Sequence, residues 1–235
     1  MLIFAPYAAK EITNNPNRNA ALGYLAFSDE EAEGIGGDIY KNDNATKKRF
    51  LETYREHGVI HFATHAQVDD TDPSGSFIAF YPDQEEYKLY TEELYALSME
   101  KTNLVVISAC EAGNGTMQKG EGLISIARGF AFAGCPAVIT TLWNAHDEST
   151  AWISKKLHHY LKKGWHKSDA LRQAKIDFLN SDTGKAYDHP YFWANFILIG
   201  NDTPITNSYW YTYILYLIPI VVLMVFLWWR FRRGA

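Results

Sequence analysis

The chain has 235 residues and a formal net charge of −5, and 47% of its residues are hydrophobic. This length is enough for one domain with a full core, and the hydrophobic fraction excludes a disordered chain. The acidic balance, without a basic stripe in the globular part, argues against a nucleic-acid partner. The two cysteines, Cys110 and Cys135, are too few for a disulfide framework or a CxxC metal site.

Apolar runs that alternate with amphipathic segments predict an α/β fold with a mostly parallel sheet. The predicted strands are residues 2–5, 59–64, 77–81, 88–90, 104–107, 137–143 and 192–199. Four predicted helices have the N-cap residues Ser28, Asn44, Thr91 and Ser168, and the last three of these helices run through residues 57, 97 and 180. Two further helices are predicted at residues 123–133 and from Asp147 or its neighbour to Lys163. Ser28 and Glu31 have the spacing of a capping box, with Ser28 as the N-cap residue.

The run Leu104–Ile107 is short, aliphatic and β-branched, which is typical of a strand buried on both faces. It leads into Cys110, and the carboxyl ends of such strands line the crevice where open α/β sheets bind ligands. Free cysteines are usually inert core residues. The strand alone therefore leaves a packing role and a nucleophilic role equally open for Cys110. Cys135 directly precedes Pro136 at a strand start, and we interpret it as a packing residue.

A second strand, Val59–Thr64, ends at His65. If the two strands are parallel neighbours, their ends lie about 5 Å apart and His65 can approach Cys110. An imidazole beside a thiol takes its proton and stabilises the thiolate. His61 and His65 lack the glutamate of HExxH, and residues four apart in a strand are about 13 Å apart. No metal site or cofactor is therefore predicted, and His61 is expected in the core or behind the site.

Residues 209–229 differ in kind from the rest of the chain, because they carry no charge. A helix of that length spans about 30 Å, the thickness of a bilayer core, and tyrosine and tryptophan crowd its ends as in interfacial belts. A buried core helix is the alternative. We expect a single-pass transmembrane helix at 209–229, which makes residues 1–202 the globular domain, 203–208 a linker and 230–235 a basic tail.

Two opposing signals bear on the side of the membrane that the domain faces. Residues 1–6 lack the basic region and the apolar length of a signal peptide, which favours a cytoplasmic domain. Arg230, Arg232 and Arg233 directly follow the predicted helix, and the positive-inside rule keeps such residues in the cytoplasm. The arginines tip the expectation towards an extracytoplasmic domain.

The chain resembles the CHAT domain family, which is related to caspases and separase. The shared motifs occur in the family's order and are HFATH at 61–65, SACEAG at 108–113, GEG at 120–122, RGF at 128–130, LW at 142–143 with Asp147, and PYFW at 190–193. The resemblance covers most of residues 1–200. It implies a caspase-like α/β fold and a cysteine endopeptidase that cleaves protein or peptide substrates, with His65 as the general base and Cys110 as the nucleophile.

The resemblance also implies roles for neighbouring groups. The backbone amides of Ala66 and Cys110 would form the oxyanion hole, and Asp147 matches an acidic position that lines the primary specificity pocket. Asp147 could equally well cap the helix that follows it. CHAT domains often follow tetratricopeptide repeats, so such repeats in a longer parent chain are candidate partners, beside membrane lipid at the C-terminal helix. The alternative to a membrane-anchored peptidase is a catalytically idle, caspase-like signalling scaffold at the membrane.

Overall fold

A computed structural model describes residues 1–10, 22–69, 72–82, 86–111, 121–143, 146–205 and 218–219. The chain divides into two units, Met1–Ile205 and Thr206–Ala235. Of the helix predicted at residues 209–229, only residues 218 and 219 are described. In the part of the chain that is described, no helix combines the length and the apolar character needed to cross a bilayer.

In the described residues of the first unit, eight strands form one sheet. The strands are β1 (Leu2–Ala5), β2 (Asp38–Lys41), β3 (Val59–Gln67), β4 (Phe77–Ala79), β5 (Lys88–Tyr90), β6 (Leu104–Glu111), β7 (Ala137–Thr141) and β8 (Phe196–Gly200). The order across the sheet is β2, β1, β3, β6, β7, β8, and the pairs are parallel except for β7 with β8. An antiparallel hairpin of β4 and β5 extends from the end of β3. The predicted α/β fold with a mostly parallel sheet is confirmed.

Helices cover both faces of this sheet. They are α1 (Ser28–Ile35), α2 (Lys47–Thr53), α3 (Thr91–Leu94), α4 (Glu121–Phe132), α5 (Asp147–Lys162), α6 (Lys167–Asn180) and α7 (Asp182–Ala186). On one face, Phe50 of α2, Leu94 of α3 and Phe130 of α4 pack in one buried cluster with Phe62 of β3. Ile153 of α5 packs with the strand residues of a second cluster on the opposite face. The hydrophobic cores therefore lie directly above and below the central strands.

Strand β3 is the centre of the sheet, and its first eight residues are all buried. Successive side chains alternate between the faces. Ile60 and Phe62 belong to the cluster with α2 and α4, whereas Val59 packs with α5 and α6 and Ala63 packs with α1. Burial on both faces is the ordinary environment of a central strand in a parallel sheet that is covered by helices.

The capping-box prediction for α1 is wrong. Phe27 occupies the N-cap position without a side-chain capping bond, and Ser28 is the first helical residue. The Ser28 hydroxyl donates to the Leu25 carbonyl at 3.0 Å. Glu31 does not cap the helix, because its carboxylate accepts hydrogen bonds from buried groups of the sheet.

Other predicted boundaries differ from those of the structure. Thr46 rather than Asn44 caps α2, because its hydroxyl accepts the Arg49 N–H at 3.1 Å. Ser168 is the second residue of α6 and not its cap, since the helix begins at Lys167. Strand β8 begins at Phe196 rather than at residue 192, because Pro190–Phe192 forms a single 3₁₀ turn.

The end of the first unit is tied to the start of α6. The Lys167 ammonium donates to the carbonyl oxygens of Asn201 at 3.0 Å and Thr203 at 2.5 Å. The Asp202 carboxylate accepts the Ser168 N–H at 2.6 Å and its hydroxyl at 2.9 Å. Lys167 is buried, and burial lowers its pKa. These bonds satisfy the terminal carbonyls and hold residues 201–203 against the helix.

Candidate active site

The two predicted catalytic residues lie side by side at the carboxyl edge of the sheet. Strands β3 and β6 are parallel neighbours, paired from Val59 with Leu104 through Ala66 with Glu111. This register places His65 directly opposite Cys110. Neighbouring strands are about 5 Å apart, so the backbones of the two residues are as close as adjacent strands permit. Residues 112–120, which follow Cys110, lie outside the described part of the chain.

His65 is held by contacts on its ring. Its Nε2 donates a hydrogen bond to the Gly23 carbonyl oxygen at 2.7 Å. The Tyr7 ring meets the imidazole edge to face, with 4.7 Å between the ring centroids. Tyr7 is itself buried, its hydroxyl donates to the Phe80 carbonyl at 3.0 Å, and burial raises its pKa. Because a carbonyl oxygen only accepts, the neutral His65 ring carries its proton on Nε2 and its lone pair on Nδ1.

Ala66 lies within β3, because the strand continues for three residues beyond the predicted Thr64. It is paired with Glu111 of β6 on one side and with Ile78 of β4 on the other. The backbone of Ala66 is therefore part of the sheet directly after His65. The oxyanion-hole role of the Ala66 and Cys110 amides stays a prediction.

Asp147 is the first residue of α5, which follows the carboxyl end of β7. The N-cap position belongs to His146, so Asp147 does not occupy the capping position that the alternative interpretation gives it. One carboxylate oxygen of Asp147 accepts the Ala26 N–H at 3.0 Å. Ala26 and Gly23 belong to the same short segment before α1, so this segment contacts both His65 and Asp147.

Cys135 has the environment of a packing residue. It is 1% exposed and packs in the cluster between β6 and α4. Its thiol donates to the Ala137 carbonyl at 3.2 Å, and burial raises its pKa. A protonated, enclosed thiol is a poor nucleophile. The predicted division between the two cysteines is therefore consistent with the surroundings of Cys135.

Sequence reasoning missed a buried polar cluster that includes His61. The Glu31 carboxylate accepts from His61 Nε2 and from the Ser108 hydroxyl, each at 3.0 Å. His158 Nε2 lies 3.1 Å from His61 Nδ1. The sequence signalled only the burial of Glu31, which shares a helical face with Ile35 four residues later, and not its partners.

The missed contact at Gly23 left no such signal, because a backbone carbonyl has no side-chain signature. Among the described residues, no group of three or more His, Cys, Asp or Glu is arranged to hold a metal ion. His61 uses both ring nitrogens on protein groups. The arrangement at the edge of the sheet is thus an oriented imidazole opposite a cysteine position, which suits covalent thiol chemistry.

The sequence matches the model of the CHAT domain family over residues 13–201. Two similar curated proteins are Tetratricopeptide repeat protein 28 of Mus musculus, 25% identical over 240 residues, and its namesake of Homo sapiens, 24% identical over 240 residues. Each match covers 83% of this chain and 10% of the relative. The chain therefore spans about a tenth of the length of the curated relatives that it matches.

A solved structure with a similar fold is that of gingipain R, described as an Arg-specific cysteine proteinase. The TM-score is 0.51 at 10% sequence identity, and the match covers 86% of this chain and 46% of the other. At this identity the likeness concerns the fold alone. It confirms the caspase- and gingipain-like arrangement of a mostly parallel sheet between helices.

Proposed function

The chain belongs to the CHAT domain family, and from this premise we propose that it is a cysteine endopeptidase with Cys110 as the nucleophile and His65 as the general base. The observation that carries the proposal is the register of β3 and β6, which pairs these two residues at the carboxyl edge of the sheet. The bond from His65 Nε2 to the Gly23 carbonyl adds support, because it leaves the lone pair on Nδ1.

The proposed reaction proceeds through a thioester. His65 Nδ1 takes the proton of the Cys110 thiol, and the thiolate attacks the peptide carbonyl carbon. The C=O electron pair moves to oxygen, where the Cys110 and Ala66 amides would donate hydrogen bonds. The imidazolium then protonates the departing amine as the C–N bond breaks. Water, deprotonated by His65, hydrolyses the thioester and restores the thiol, so the cycle needs no cofactor.

The proposed specificity rests on Asp147. A carboxylate beside the cut favours Arg or Lys on the amino side, because a charge-assisted hydrogen bond with a cation is strong. Asp147 shares the segment Gly23–Ala26 with His65, since each residue bonds to one end of it. This shared support favours a position for the carboxylate near the scissile bond.

The proposed setting is a membrane. Residues 209–229 carry no charge and are followed by three arginines, which supports a single-pass anchor. The positive-inside rule favours an extracytoplasmic domain. Both curated relatives are named for tetratricopeptide repeats, which supports such repeats in a longer parent chain as a partner of the domain.

The test of the proposed chemistry compares cysteine and histidine variants of the full chain, purified in detergent. The wild type is expected to cleave members of a fluorogenic peptide library. Cys110→Ala and His65→Ala should lower kcat/KM by at least about 100-fold, because each removes the nucleophile or its base. Cys135→Ala is the matched control, as it removes the other cysteine, and it should retain turnover.

The idle scaffold predicts a different result. In that case no peptide is cleaved, and a thiolate-directed alkylating probe reacts with Cys110 no faster in the wild type than in His65→Ala. Circular dichroism and thermal unfolding establish that each variant is folded. A folded, inactive wild type without a His65-dependent thiolate would overturn the peptidase proposal.

A further inference from the structure

The polar cluster of Glu31, His61, Ser108 and His158 lies deeper in the sheet than the dyad, and the proposed chemistry uses none of its members. All four side chains are 5% exposed or less. They come from four different elements: α1, β3, β6 and α5. The Glu31 carboxylate is the centre, because one of its oxygens binds β3 through His61 and the other binds β6 through Ser108.

The contacts of the cluster fit a set of proton positions in which both histidine rings are neutral. An ionised carboxylate only accepts, so both the Ser108 hydroxyl and His61 Nε2–H donate to Glu31. His61 Nδ1 then holds a lone pair and accepts from His158 Nε2–H at 3.1 Å. The pKa of His158 lies well below its ordinary value, mainly because of burial and secondly because of His61 and Lys162, so the His158 ring is neutral. His158 therefore donates to His61, and both His61 and Ser108 donate to the Glu31 carboxylate.

Members of the cluster belong to β3, β6 and α1, which are the elements that carry or support the His65–Cys110 pair. His61 precedes His65 by four residues in β3, and Ser108 precedes Cys110 by two residues in β6. Glu31 follows Gly23, whose carbonyl holds the His65 ring, by eight residues. One carboxylate thus joins the strand of the base, the strand of the nucleophile and the helix whose preceding segment orients the base.

Hydrophobic packing would hold these elements together with less desolvation. A buried carboxylate is costly, and apolar replacements of buried polar clusters are often neutral or stabilising. Packing is non-directional, however, whereas two hydrogen bonds to one rigid carboxylate fix the positions of both strands relative to α1. Small displacements of catalytic groups lower rates strongly.

We propose that Glu31 is a positioning residue, whose carboxylate, bonded to His61 and Ser108, sets the geometry of the His65–Cys110 pair. This inference rests on the proposed peptidase function and assigns a role in it to a residue that does not contact the substrate. The role is geometric, so it depends on the two hydrogen bonds and not on the charge.

The test uses two substitutions at one position. Glu31→Gln keeps both bonds, because its amide oxygen accepts from His61 and its NH₂ donates to a rotated Ser108 hydroxyl. Glu31→Ala removes both bonds. Glu33→Ala is the matched control on the same helix, since Glu33 is exposed and pairs with Lys41 at 2.9 Å. The readouts are kcat and KM separately, the rate of Cys110 alkylation by iodoacetamide at pH 6.5, and thermal unfolding.

We expect Glu31→Ala to lower kcat by about 10- to 100-fold with little change in KM, and to slow Cys110 alkylation in the folded protein. Glu31→Gln should restore both values to within about threefold of the wild type. A purely structural role would lower the unfolding temperature and leave kcat and alkylation of the folded protein intact, which would overturn the inference.

The failure of the inference is distinguishable from the failure of the proposed function. If His65→Ala slows Cys110 alkylation and Glu31→Ala does not, the dyad stands and the role of Glu31 is wrong. If His65→Ala and the wild type react equally fast, the dyad itself is wrong and the inference is overturned with it.

Discussion

Nε2 of His65 lies 2.7 Å from the carbonyl oxygen of Gly23, and this contact joins residues that are 42 positions apart in the chain. In a Ser-His-Asp triad a carboxylate holds the imidazole in the correct tautomer and orientation. Here a backbone carbonyl performs that task without adding a titratable group. The orientation of the ring therefore depends on the path of the segment before α1, together with the Tyr7 ring that packs against it.

This relationship predicts different results for two changes at Gly23. A Cβ at this position meets nothing within 4 Å, so Gly23→Ala keeps the carbonyl in place. We expect its kcat/KM to stay within about twofold of the wild type. Deletion of Gly23 displaces the carbonyl and should lower kcat on the order of 100-fold. Steady-state kinetics on folded variants measures both, and an active deletion variant would show that the carbonyl does not orient the base.

Cys110 and Cys135 should differ in their reactivity towards iodoacetamide, and replacement of Cys135 should lower the stability of the protein. Burial raises the pKa of the Cys135 thiol, so iodoacetamide should modify Cys110 in the native protein and modify both cysteines only in denaturant. Cys135→Ala should lower the free energy of unfolding on the order of 1 kcal/mol through lost packing. Mass spectrometry of tryptic peptides and urea unfolding measure these effects. Rapid native modification of Cys135 would contradict its assignment to the core.

Asp147→Asn should change specificity without changing the fold. The asparagine oxygen can still accept the Ala26 N–H, which now bonds to the carboxylate at 3.0 Å. Loss of the negative charge should lower kcat/KM for substrates with Arg or Lys before the cut about 10-fold or more, with neutral substrates unaffected. Glu148→Gln, in the same first turn of α5, is the control. Cleavage profiles without a basic preference in the wild type would end this assignment.

His158 should make the protein less stable in acid. Its pKa is lowered well below 6.5 in the folded state, first by burial and then by electrostatic interactions with His61 and Lys162, and is ordinary in the unfolded chain. Below about pH 6.5 the unfolded chain therefore binds a proton that the folded chain does not, so stability is lost as the pH falls. Above that pH the two states bind the same number of protons at this residue, and the loss is absent.

Urea unfolding at pH 7.5 and 5.5 measures this effect of His158. In His158→Gln the loss of stability between the two values should be smaller than in the wild type on the order of 1 kcal/mol. His159→Gln is the matched control, because His159 is the next residue of α5 and is exposed. Equal pH dependence in the wild type and His158→Gln would show that His158 does not contribute.

The proposed anchor predicts that the full chain stays with membranes through a high-salt wash and is released by detergent. Its orientation can be read from a cysteine introduced at Ala235 in a Cys110→Ala, Cys135→Ala background. If the domain is outside, a membrane-impermeant thiol reagent should label that cysteine only after the cells are permeabilised. Labelling of intact cells would reverse the orientation, and recovery in the soluble fraction at low salt would contradict the anchor.

The pairing of β3 and β6 was predictable because each reads as a strand that ends at a potentially reactive side chain, His65 or Cys110. The register that sets His65 opposite Cys110 was not, since a strand buried on both faces has no alternation of exposed and buried residues that would favour one alignment. Ladder hydrogen bonds and the packing of alternate residues in two separate cores select one of them.

The polar support of the site was harder to predict than the dyad. Glu31 matched a capping pattern, and a local pattern cannot reveal a partner 77 residues away such as Ser108. Glu31 instead satisfies two buried donors, which outweighs a helix cap that water can replace. Gly23 acts through its carbonyl, so only the path of the folded chain discloses it.

The attachment of residues 201–203 to α6 has a mechanical consequence. When tension acts on the chain beyond Ile205, it is borne first by the hydrogen bonds that Lys167 and Ser168 make to residues 201–203. The antiparallel pair of β7 and β8 comes under tension only after these bonds break. Those bonds pass the force into a 14-residue helix packed on the core. Strand β8 is therefore shielded from being peeled off the sheet, and a pull from the C-terminal side would leave the edge that carries His65 undisturbed until the hold on Lys167 fails.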